Sequence, residues 1–139
     1  FAVILNDHVI IPKVVQDEIT KSPWFLQWLA DNYKDSILNH KDYAEQWQVI
    51  LDYVQSCGLY KDSVLTNQTR GWANDAIADP WLVAIAKEDE LVVVSNEEKE
   101  PSLGKGRLQK SAKVPDVCEK QKVRCIGRNE FFGEIGLSI

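Results

Sequence analysis

The residues in this chain whose types point to chemistry are carboxylates. Glu18, Asp79 and Glu97 each fall at the end of an element or on a helix beside an apolar wall. Their oxygens are hard ligands of the kind that Mg²⁺ and Mn²⁺ prefer. Carboxylates repel one another, so a trio gathered by the fold calls for a cation. Asp75, four residues before Asp79, and Asn96, beside Glu97, are candidates for accessory oxygen donors to such a site, although Pro80 disturbs the helical continuity between Asp75 and Asp79. On spacing alone the plain alternative stays open, because 21 acids leave many chance trios. In that alternative Asp79 only caps a helix, Glu18 is a solvated helix residue and Glu97 is part of a turn.

Other chemistries lack their residues. Gly104, Lys105 and Gly106 have none of the rest of a phosphate-binding loop. There is no serine elbow and no Cys–His nucleophile signature. His8 and His40 are isolated and read as surface or turn residues. Cys57, Cys118 and Cys125 are odd in number and have no C-x-x-C spacing, which speaks against a disulfide framework and against a zinc site. They read as buried, reduced thiols, which suits the cytoplasm. A net charge of −5 speaks against a generic affinity for nucleic acid, since phosphate binding relies on excess Lys and Arg. It leaves room for a local basic patch.

The acids are positioned by the stretch from Ala78 to Glu98. Asp79 is a good N-cap and Pro80 suits the first helical position. Trp81, Leu82, Ile85 and Ala86 then recur at helical spacing. Glu88 to Glu90 break the pattern, and Leu91 to Val94 follow as an unbroken apolar run. Such a run predicts a strand buried on both faces, as in a parallel sheet. It closes in Ser95, Asn96, Glu97 and Glu98. A helix running back along the sheet puts Asp79 and Glu97 at the same edge, outside the strand carboxyl ends, where sites form in open α/β sheets.

The remaining elements read as follows. Phe1 to Leu5 ends a helix or strand, and His8 to Ile11 is a short β-branched run. Pro12 opens a helix to about Thr20 that carries Glu18, and Ser22-Pro23 opens a second one with Trp24, Phe25, Trp28 and Leu29. A long helix spans about Lys41 to Cys57 and stops at Gly58. Leu59 to Gly71 is a polar connection with room for a short helix. Lys99 to Lys113 reads as a loop. A short helix around Cys118 to Lys120, a strand from Val123 to Ile126 and a helical turn from Asn129 to Phe132 complete the chain. Trp24, Trp28, Trp47, Trp72 and Trp81 read as core or interface residues. Helices alternating with apolar strands predict an α/β domain with a parallel sheet.

At 139 residues and 45% hydrophobic the chain suits one globular domain, residues 1–139. No apolar run approaches the roughly 20 residues of a membrane span. It opens on Phe1 and contains no Met, which reads as a processed or truncated piece.

The order of these motifs resembles the PIN domain. Asp79 opening a helix, Ala84 and Ala86 on that helix, and a β-branched strand closing in Ser95, Asn96 and Glu97 look like its second half. Val15 to Ile19 (VQDEI) resembles the helix that carries the family's Glu. Lys113 to Cys118 (KVPDVC) and Val123 to Ile126 (VRCI) are similar to the end of a PIN-like subgroup related to the VapC-like toxin ribonucleases. The resemblance spans Val9 to Phe132 and implies a three-layer α/β domain, a short parallel sheet flanked by helices. It implies a metal-dependent ribonuclease in which Glu18, Asp79 and Glu97 hold Mg²⁺ or Mn²⁺. Ser95 takes the place of the accompanying hydroxyl. Lys105, Arg107, Lys110 and Lys113, in a stretch without acids, are the candidates for holding the RNA backbone, the plain alternative being a solvated loop. Two positions depart from the family pattern: the last acid is a Glu, with Glu98 as a rival, and no Leu-Asp-Thr-type first strand precedes Val9. A domain without that strand lacks its acid, so weak activity is expected of this chain. RNA, an antitoxin protein and a second copy of the chain are the implied partners, in the cytoplasm and without a membrane. A non-catalytic PIN-like interaction module, docking a partner through Ser22 to Leu29, is the second expectation. A phosphatase-like hydrolase on a similar sheet lacks the Asp-x-Asp start it would need.

Overall fold

The computed structural model describes residues 10–18, 23–32 and 39–134. Its elements are α1 (Lys13–Glu18), α2 (Pro23–Asn32), a 3₁₀ turn (His40–Tyr43), α3 (Ala44–Ser56), α4 (Ser63–Thr66), α5 (Ala78–Asp89), β1 (Val93–Val94), α6 (Val114–Gln121), β2 (Cys125–Ile126) and α7 (Arg128–Glu134). The strands pair in parallel, with Val93 opposite Cys125 and Val94 opposite Ile126. The domain is therefore α/β, with a short parallel sheet flanked by helices. The expected elements within Phe1 to Val9 lie outside the described residues. No helix among the described residues is long and apolar enough to cross a membrane.

α5 is the central element. Pro80, Trp81, Val83, Ala84, Ile85 and Ala86 are all buried, and small side chains at positions 84 and 86 let its neighbours approach closely. α3 lies along it, contributing Ile50, Leu51 and Val54 to the core, while α6 adds Val114, Val117 and Cys118. Near the start of α5, Val14 of α1 packs against Ala78 and Trp81. Trp81 stacks on Trp47, with centroids 4.8 Å apart, and meets the ring edge of His40. Its indole N–H donates to the Asp75 carbonyl at 3.0 Å. His40 is therefore buried, contrary to the expected surface position. The 3₁₀ turn tucks it against Trp81, a placement that one isolated histidine in the sequence does not advertise.

Asp79 does not cap α5. Ile77, with extended backbone, holds the cap position, and Asp79 lies in the first turn. Packing explains the shift: Ala78 is drawn into the helix by its contacts with Val14 and Trp81. Pro80 tolerates the move because the first turn has no intrahelical acceptor for its missing N–H. A carboxylate in that turn still faces the positive end of the helix dipole.

Each of the two later helices reverses into its strand through a non-glycine residue with left-handed backbone. Glu90 (φ 56°) ends α5 and Lys122 (φ 60°) ends α6. In both, the next residue donates back to the helix, Leu91 to Ala86 and Val123 to Cys118.

The run from Leu91 to Val94 is not buried on both faces. Val93 is 6% exposed, but Val92 and Val94 are 42% and 44% exposed. β1 donates to β2 through Val93 (to the Arg124 carbonyl) and Ser95 (to the Ile126 carbonyl). By the alternation of a pleated strand, the backbone groups of Val92 and Val94 face the other way. That edge is open among the described residues. It borders an apolar groove of about 530 Å³ lined on the far side by Ile10, Pro12 and Val15.

Candidate site at the carboxyl edge of the sheet

Two successive helix–strand units set the geometry. α5 has 12 residues and rises about 18 Å; the chain from Leu91 to Ser95 climbs back about 16 Å at strand rise. The start of α5, with Asp79, therefore lies at the same end as the turn after β1. α6 and β2 repeat the arrangement. A cleft of about 380 Å³ opens at this end, lined by Ser95, Asn96, Glu97, Glu98 and Lys99 after β1 and by Gly127, Arg128, Asn129 and Glu130 after β2. Pro115, Cys125 and Ile126 complete its wall.

Hydrogen bonds fix the turn after β1. The Glu97 N–H donates to Ser95 Oγ at 3.1 Å. Asn96 Oδ1 accepts from the Arg128 N–H at 3.3 Å, tying the end of β1 to the end of β2. Glu97 Oε1 lies 3.5 Å from the Val114 N–H at the start of α6, where a carboxylate complements the helix dipole. Farther along, buried Asp116 accepts from the Glu100 N–H at 2.9 Å and so anchors the start of the long loop to α6.

The expected site residues fall into three groups. Ser95 and Glu97 line the cleft. Asp79, half-buried, shares that end of the sheet through the topology of α5 but is not part of the cleft lining. Glu18 closes α1, one helical turn beyond Val14, and its side chain lies outside those described. No group of at least three His, Cys, Asp or Glu placed to hold an ion occurs among the described residues. The basic candidates do not line the cleft: Lys105, Arg107 and Lys110 are exposed on the loop, and Lys113 caps α6. Asp75 is exposed, and its carbonyl serves the Trp81 indole.

The cleft also holds Arg128, which belongs to none of the motifs in the sequence. The signal was available. Arg128 follows β2 as Asn96 follows β1, and the rule that ligands bind beyond strand carboxyl ends applies to both strands.

Cysteine chemistry has no foothold here. The three cysteines are free. Burial pushes the Cys118 thiol up to about 12, with Cys125 beside it adding to the shift. Burial also raises Cys125, against a lowering bond from Cys118. Neither is a thiolate near neutral pH. At the rim, Lys99 and Glu119 form an exposed ion pair at 2.7 Å that raises the lysine and lowers the carboxylate. Such a pair adds little stability, but it commits the charge of Lys99.

These features define an α/β domain with a polar, acid-bearing cleft outside the carboxyl ends of a parallel sheet. The chain belongs to the family described as a domain of unknown function, DUF4411, whose model matches residues 2–139. No curated protein and no solved structure matches it.

Proposed function

We propose that this DUF4411 chain is a PIN-like, metal-dependent ribonuclease acting at the carboxyl-edge cleft, a cytoplasmic protein of the kind paired with an antitoxin. The observation that carries the reading is that the turn Ser95-Asn96-Glu97 lines the cleft, with Asp79 in the first turn of α5, whose length brings that turn to the same end of the sheet. The donor set is all oxygen, which fits Mg²⁺ or Mn²⁺ and not a softer metal. Asp79 and Glu97 would hold the ion with Glu18, and Asn96 is the nearest accessory donor. When bound, such an ion supplies Lewis acidity and a water of lowered pKa. The chain's own part is to hold the acid turn rigid, through the Ser95–Glu97 and Asn96–Arg128 bonds. The loop cations Lys105, Arg107 and Lys110, with Lys113, then supply distant attraction for the RNA backbone, and Ser95 lines the substrate's path.

The test pairs a thermal melt with a cleavage assay. Mn²⁺ should raise the melting temperature of the chain and support a weak cleavage of labelled single-stranded RNA that EDTA stops. The double variant Glu18→Gln with Asp79→Asn should lose both effects, cleavage by orders of magnitude, because metal ligands act as a unit. A double variant that is stabilised by Mn²⁺ and cleaves like the parent would refute the site. One observation favours the second reading, a non-catalytic interaction module: Trp24 on α2 is 72% exposed, and exposed tryptophans are common anchors of protein interfaces.

A further inference from the structure

We propose that Arg128 is the phosphate-gripping residue of the cleft. This assigns to it the close contact with RNA that the loop cations Lys105, Arg107 and Lys110 do not reach. The inference rests on the ribonuclease reading and names how that site recognises its substrate.

Three observations carry it. The first is position: Arg128 lines the cleft together with Asn96 and Glu97, whereas Lys105, Arg107, Lys110 and Lys113 do not. The second is commitment of charge. Lys99, the other cation of the cleft, is bound to Glu119, and nearby Arg124 is bound to Glu134 at 2.7 Å and to Glu130 at 3.6 Å. The Arg128 guanidinium makes no ion pair and no side-chain hydrogen bond among the described residues. The third is placement. The Arg128 N–H is fastened to Asn96 Oδ1, which fixes the root of the side chain against the same turn that carries Glu97. Glu97, Glu98 and Glu130 line the cleft as well, and they repel a bare polyanion. A phosphodiester entering there needs an uncommitted cation, and Arg128 is the cleft residue that provides it. The planar guanidinium presents two parallel N–H groups to two phosphate oxygens.

The experiment measures binding apart from cleavage. A labelled single-stranded RNA oligomer is titrated with the chain in EDTA at several salt concentrations, and fluorescence anisotropy reads the affinity. Arg128→Ala should weaken binding about tenfold at low salt and lower the salt slope by about 1. Arg128→Lys should recover part of the loss, since it keeps the charge without the fork. Lys110→Ala should have the smaller effect, and thermal melts of all variants should match the parent. Arg128→Ala binding RNA as the parent does, or Arg128 variants losing no more than Lys110→Ala, would overturn the proposal. So would a parent chain with no measurable affinity. The Mn²⁺ melts and the Glu18/Asp79 double variant judge the ribonuclease reading separately, so a failure of that reading is told apart from a failure of the Arg128 contact.

Discussion

The α5–β1 and α6–β2 units are built alike and loaded differently. Each runs from helix through a left-handed residue into a strand and then a polar turn. α5 is enclosed along most of its length, and its side chains form the centre of the core. α6 buries one face, through Val114, Val117 and Cys118, and leaves Glu119 and Lys120 in solvent. The first unit thus supplies most of the burial, while the second covers it. Both supply the cleft, and the units interlock there: Asn96 from the first accepts the Arg128 N–H of the second. Glu97 from the first reaches the start of α6, and Asp116 of α6 receives the Glu100 N–H. Two units of like design can therefore contribute unequally to the core while sharing the lining of one cleft.

The largest expected effect tests whether the first unit carries the core. Trp81 is 3% exposed and packs against both Trp47 and His40. Trp81→Ala should cost about 3–5 kcal/mol, the range for deleting a large buried aromatic. Val117→Ala in α6 removes far less buried volume and should cost clearly less. Urea unfolding of both variants makes the comparison; equal losses would show that the second unit is no mere cover.

A smaller effect concerns pH. Cys118 is held up at about 12 from 9.0 by burial, and Tyr53 at about 12 from 10.0, chiefly by burial as well. Groups whose folded pKa is raised contribute stability that is complete below the unfolded value and is lost as pH rises through the folded one. The domain should therefore hold its stability up to about pH 9 and weaken progressively toward about pH 12. Cys118→Ala should blunt the early part of that loss. Urea midpoints across the range decide, and a flat profile above pH 9 would show that these groups titrate freely in the folded state.

The smallest effect sharpens the likeness between the units. Glu90 and Lys122 occupy left-handed backbone that glycine adopts without strain. Glu90→Gly and Lys122→Gly should each change stability by no more than about 1 kcal/mol, and in the stabilising direction, because relief of strain outweighs the added freedom of the unfolded chain. Opposite signs at the two sites would show that the reversals are not equivalent.

Much of this fold was readable from residue order. The period of Trp81, Leu82, Ile85 and Ala86 marked α5, and the β-branched run after it marked β1. Gly58, with φ 77°, stopped α3 where a C-terminal glycine should. What escaped depended on tertiary packing. Ala78 entered the helix because Val14 and Trp81 surround it, which moved Asp79 from the cap into the first turn. His40 was buried by a tryptophan 41 residues away in sequence. The exposure of Val92 and Val94 on either side of buried Val93 reflects a strand covered on one face and not on the other, which a four-residue run cannot reveal. The helix marked around Cys118 began four residues earlier, at Val114, since Pro115 is welcome in a first turn. In the site, the acid turn after β1 was legible from its types. Arg128 was missed because a single basic residue after a short strand carries no pattern of its own.

The side of β1 that is open among the described residues bears on how the protein behaves in concentrated solution. An unsatisfied strand edge is a template for any extended backbone, including that of another copy. Here it is flanked by the bare valines 92 and 94 and by Ile10, itself 49% exposed. Arg124 and Glu134, clasped together at the rim of the same groove, are the charges best placed to act as gatekeepers against such pairing. An ion pair that contributes little to folding thus stands guard beside this edge. Added salt screens it, so raising the salt should lower the barrier to self-association along this edge.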